Sequence, residues 1–99
     1  MRTKKEEYID KMAYELKEWS AKLDELESKV SGTSADVKAG YESRIRELKD
    51  KRDSLSSKLH ELRESSGEAW ETFKAGVDNA WDDFKGAFTD AREKFKKAA

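Results

Sequence analysis

Cysteine is absent from the chain, and with it any disulfide framework, thiol nucleophile or thiolate metal site. Proline is absent too, and glycine occurs only five times. Histidine occurs once, as His60 next to Leu59 at the edge of an apolar seam. A single imidazole supplies neither a metal site nor a proton relay. No stretch approaches the ~20 consecutive apolar residues that span a bilayer, and the opening MRTKKEEYIDKM lacks the apolar core of a secretory signal. No glycine-rich phosphate loop and no serine in a nucleophile motif is present. Charge of one sign is also missing. The 21 Lys and Arg nearly cancel the 22 Asp and Glu, which argues against disorder through self-repulsion and against a nucleic-acid partner.

What is present is charge in bulk. Charged residues make up 43% of the 99 positions and hydrophobic ones 35%, a balance closer to a coiled coil or long-helix protein than to an ordinary globular domain. Carboxylates such as Glu15 and Glu18 recur too often to mark an acid–base pair. Lysines three or four positions away, as in Glu7 with Lys11 and Glu18 with Lys22, are their expected partners. The chain is expected to be no enzyme, with no catalytic residues, cofactor or bound metal and no small-molecule substrate in evidence.

The apolar residues fall on helical rulers. Ile9, Met12, Leu16, Trp19, Leu23, Leu26 and Val30 are spaced alternately by three and four, an unbroken heptad seam over a predicted helix at 4–30. After Ser31-Gly32-Thr33-Ser34 a second seam runs through Val37, Tyr41, Ile45, Leu48, Leu55, Leu59 and Leu62, predicting a helix over 34–64. Arg52 takes the place of one apolar residue, where its stem can pack while its guanidinium reaches water. Ser65-Ser66-Gly67 interrupts the pattern again. The third predicted helix, 67–97, carries Trp70, Phe73, Val77, Trp81, Phe84, Phe88 and Phe95. Gly32 is expected as a left-handed cap, and Thr33 with Asp36 and Ser65 with Glu68 as capping boxes opening the next helix.

The third segment repeats every eleven residues: AWETFKAGVDN, AWDDFKGAFTD, AREKFKKAA. Eleven residues in three turns is ~3.67 per turn, which keeps the aromatics on one side of a nearly straight helix. Ala69, Ala80 and Ala91, with Gly76, Ala87 and Ala98, form a small-residue stripe beside the phenylalanine edge. Lys74, Lys85 and Lys96 flank the tryptophan edge. Gly76 on the small stripe is expected either to admit a neighbouring helix closely or to be merely tolerated, whereas Gly86 lies opposite.

These seams predict one all-α domain over 1–99: three long amphipathic helices folded as an antiparallel coiled-coil hairpin or three-helix bundle. The alternative is fused long helices in an oligomeric coiled coil. About twenty bulky side chains would each forfeit roughly 1.5–3 kcal/mol if left in water, so the seams need partners. Association with copies of itself is therefore expected. The aromatic face of the third segment has a second reading as a surface for membrane or lipid, and a third as an adaptor for another protein.

Two resemblances add to this. The stretches KKEEYIDKMAYELKEWSAKLDELESK and YESRIRELKDKRDSLSSKLHELRESSGEAWETFKAGVDNAWDDFKGAF resemble a family of small bacterial coiled-coil stress-response proteins, first named from cyanobacteria. The specific parts are YIDKM…LKEW, LRESSGEAW and the paired AW-x-x-F-K units, while SGTSADVKAG departs from the family's more continuously helical linker. The resemblance implies a bacterial cytoplasm, with a membrane-peripheral site as the alternative, and a structural or protective role linked to stress. The eleven-residue repeats are similar to those of the exchangeable apolipoproteins.

Overall fold

The computed structural model describes residues 2–98, the side chain of Ala98 excepted. They form three helices and no strand: α1 (Lys4–Ser31), α2 (Ala35–Glu64) and α3 (Trp70–Ala98). The helices run up, down and up. Lys51 Nζ lies 2.6 Å from Asp83 and Arg44 3.6 Å from Asp90, which sets α2 and α3 antiparallel. Lys5 Nζ donates to the Ser65 carbonyl at 2.5 Å, fixing the start of α1 beside the end of α2. The result measures 51 × 21 × 17 Å. The all-α three-helix bundle expected from the seams is the architecture, and neither break is bridged by a continuous helix.

The helix ends show why the capping expectations need correcting. Thr33 donates its hydroxyl to the Val30 carbonyl and Ser65 donates to the Leu62 carbonyl, each at 2.6 Å. Both hydroxyls close the helix behind them rather than opening the one ahead. A hydroxyl is donor and acceptor at once, and a helix end leaves carbonyls orphaned just as a helix start leaves N–H groups. The spacing Ser/Thr-x-x-Asp/Glu does not distinguish the two uses. Ser34 stands at the α2 start with extended backbone and makes no side-chain cap. Gly32 is not left-handed: at φ −85°, ψ 0° it sits in the right-handed region, its N–H directed at the Ser28 and Lys29 carbonyls. The third helix begins at Trp70, not 67, after a turn in which the Ala69 N–H donates to the Ser66 carbonyl. The capping pair that does form is Thr3 and Glu6. The Glu6 N–H donates to Thr3 Oγ1 at 3.1 Å, and the Thr3 hydroxyl lies 3.2 Å from the Glu6 carboxylate.

The core is wholly apolar. Ile9, Met12, Leu23, Leu26 and Val30 of α1 meet Ile45, Leu48, Leu55, Leu59 and Leu62 of α2, with α3 lying over both, and no polar or charged side chain is buried among the described residues. Arg52 behaves as its position suggests: half-buried, with its guanidinium 3.3 Å from the exposed Asp53.

The two edges of α3 do different jobs. Its small-residue edge carries Ala80 and Ala87, partly buried against the core, and the buried Ala91, and the backbones of α2 and α3 approach far more closely than those of α1 and α3. Its tryptophan edge turns to α1, where rings rather than backbones make the contact. Trp19 meets Trp81, Phe84 and Phe88 edge-on at 5.8, 6.2 and 5.3 Å between centroids. Such pairs add ~0.5–1.5 kcal/mol each beyond the area they bury. Gly76 does not serve the close approach. A Cβ built on it meets no atom within 4 Å, so the glycine is merely tolerated. The side chain of Ala98, the last member of the stripe, lies outside the described residues.

Candidate functional site

Most residues singled out by spacing are interior. Ile9, Met12, Leu23, Leu26, Val30, Ile45, Leu48, Leu55, Leu59 and Leu62 are buried, as are Val77, Trp81, Phe84, Phe88 and Phe95. Leu16 and Trp19 are partly buried against them, Trp70 is half-buried, and Phe73 is 37% exposed near the α2–α3 turn. The aromatic face of α3 is thus committed to the bundle interior over most of its length. His60 is exposed.

The surface charges arrange themselves differently from the pairs spacing suggested. Within helices the ion pairs four residues apart are Glu25–Lys29, Glu47–Lys51, Lys74–Asp78 and Asp90–Lys94. Glu7–Lys11 and Glu18–Lys22 do not form. Lys22 instead lies over the Trp19 ring, 4.4 Å from its centroid, and Lys85 lies 5.7 Å from that of Trp81. No group of three or more His, Asp or Glu side chains among the described residues is placed to hold a metal ion.

One polar contact crosses from α1 to α3 and was invisible to spacing. The Tyr8 hydroxyl donates to Asp78 Oδ1 at 2.5 Å, Lys74 Nζ lies 3.5 Å from the same carboxylate, and the Tyr8 ring tilts against Trp70 at 6.3 Å. Burial, reinforced by the Asp78 carboxylate, holds the phenol protonated well above its ordinary range. The unfolded chain releases this proton near pH ~10 while the folded chain keeps it. The stabilisation is therefore complete below that pH and declines as pH rises beyond it. Lys51, raised by its hydrogen bond to Asp83, declines in the same direction. Denaturant titrations at pH 8 and pH 11 should show wild type losing stability at the higher pH. Tyr8→Phe should be weaker by about 1.5 kcal/mol at pH 8 and should lose distinctly less on going to pH 11. An equal loss in both chains would remove Tyr8 from the account.

Three properties define the class of protein: an all-α bundle of three long helices, a core in which none of the described polar or charged residues is buried, and charged side chains on the outer faces and in the clefts between helices. No protein-family model, curated protein or solved structure matches the chain. No helix among the described residues is long and apolar enough to cross a membrane.

Of the clefts, one stands out by charge. Between α1 and α3, past Trp19, Leu26, Phe88 and Phe95 form a floor beneath Lys22, Lys29, Arg92 and Lys96, with Glu25 the only carboxylate among the described residues. The other clefts mix the signs or hold fewer cations. Lys38, Arg46 and Lys49 face Glu27 and Glu42 between α1 and α2, and Lys4 and Lys74 face Glu71 and Asp78 near Trp70.

Proposed function

We propose that this is a non-enzymatic structural or protective protein that works through association of its helices, in a bacterial cytoplasmic role linked to stress. The observation that carries this reading is the interior: one apolar seam runs through all three helices, and among the described residues no polar or charged one is buried. A seam of this kind rewards helix pairing. It also does not discriminate between a helix of the same chain and the equivalent helix of another. The α1–α2 turn makes exchange between copies accessible. Only Gly32–Ser34 separate the helices, Gly32 already has near-helical backbone angles, and no described residue has positive φ. Straightening that turn would pair the same faces across two chains, a low-cost route to a dimer. The resemblance to small coiled-coil stress-response proteins supports the protective role.

Light scattering across a dilution series tests the association. A reversible, concentration-dependent dimer with unchanged helix content is expected, and Gly32→Ala, which favours helix through the turn, should shift the balance towards it. A strict monomer at high concentration in both chains would contradict the reading.

The lipid-surface reading of α3 demands more. Trp81, Phe84, Phe88 and Phe95 would have to leave the core before meeting a membrane, and each buried aromatic contributes roughly 1.5–3 kcal/mol to keeping it closed.

A further inference from the structure

The α1–α3 cleft follows from how the two helices are held apart. Trp19 wedges its indole edge-on among Trp81, Phe84 and Phe88, so α1 and α3 keep a separation suited to rings. Beyond Trp19, α1 offers Leu26 at that separation, and an isobutyl group does not fill the space an indole sets. The remainder is a cleft of about 420 Å³, within the ~300–1,000 Å³ range of small-molecule pockets. Its apolar floor carries four cations around it and one carboxylate, and Glu25 is already engaged by Lys29 at 3.2 Å. Among the described residues Arg92 and Lys96 form no ion pair.

We propose that this cleft binds a single-chain amphiphile with an anionic head, a long-chain carboxylate being the simplest member of the class. The alkyl chain would lie on Leu26, Phe88 and Phe95. The head would sit between Arg92 and Lys96, where a guanidinium can grip a carboxylate with two parallel hydrogen bonds. The excess of cations selects the sign of the head, and the shape selects a single molecule. The cleft is concave, whereas a bilayer offers a broad surface. Its length, from residue 22 to 29 on α1, is only about 11 Å at 1.5 Å per residue, too short to seat a partner helix. This binding needs the closed bundle and is independent of any association between copies.

Dodecanoate, titrated below its micelle concentration and followed through tryptophan emission and backbone amide shifts, is the probe. Trp19 reports directly, because Lys22 over its ring belongs to the cleft rim. Saturable one-to-one binding is expected, with shifts concentrated at residues 22–29 and 88–96. Arg92→Glu/Lys96→Glu changes two exposed side chains, so helix content should hold while affinity falls at least tenfold. Lys17→Glu/Arg63→Glu, at the basic cleft between α1 and α2, should bind as wild type does. Three results would overturn the proposal: dodecyltrimethylammonium binding as well as dodecanoate, full affinity in Arg92→Glu/Lys96→Glu, or a response only once micelles form.

Discussion

A Trp81→Glu chain is expected to show no cooperative unfolding transition at room temperature. Trp81 is buried on the α1-facing edge of α3, edge-on to Trp19 and stacked 6.0 Å from Phe84. Removing the indole forfeits about 3–5 kcal/mol of packing. The carboxylate put in its place enters a core that buries none of the described polar or charged residues, adding several kcal/mol for a buried charge with no partner. Together these approach or exceed the ~5–15 kcal/mol that a domain has in total. Phe84→Ala provides the graded companion. Phe84 is wholly buried, and its loss should lower stability by about 3–5 kcal/mol. At ~4–8 °C per kcal/mol for a domain of this size, the melting temperature should fall by about 15–30 °C. Circular dichroism melts check both. Unchanged melting of Trp81→Glu would place the indole on the surface and remove α3 from the core.

The second large effect has the opposite sign. Gly40, Gly76 and Gly86 all lie inside helices, and a Cβ at each would meet nothing within 4 Å. Glycine in a helix interior is less favourable than alanine by about 0.8–1.0 kcal/mol, and alanine also narrows the unfolded ensemble. Gly40→Ala/Gly76→Ala/Gly86→Ala should therefore gain about 2–3 kcal/mol. The denaturation midpoint should rise with its slope unchanged. The single variants divide the explanations. If Gly76→Ala destabilised while the other two stabilised, α2 and α3 would approach through that glycine after all.

The parts of this fold that were legible in the sequence are those set by local periodicity. The 3-4 spacing from Ile9 to Val30 and the eleven-residue ruler from Trp70 to Phe95 each specify a helix and the edge it buries, because side-chain direction repeats with the backbone. What escaped depends on which helix lies beside which. The small-residue stripe left Gly76 open to a close approach, yet only three-dimensional placement shows that α2 is the helix nearest α3 and that Gly76 touches no neighbour. Tyr8 and Asp78 stand 70 positions apart, and their pairing follows from the register of α1 against α3. The hydroxyls of Thr33 and Ser65 donate backwards to the helix they end, because a hydroxyl can either donate or accept and the spacing alone does not select between the two. The cleft above Leu26 is a consequence of the separation imposed by Trp19, a property of two helices together and of neither alone.

The buried seams require that the chain fold back twice and close them on one another. Small-angle scattering of the monomer fraction, eluting with its mass measured in line, tests this most directly. A particle with a radius of gyration near the 15.8 Å of the Cα trace, and a longest dimension little above 51 Å, is the expected result. A rod approaching the ~150 Å of 99 residues in one continuous helix would contradict it.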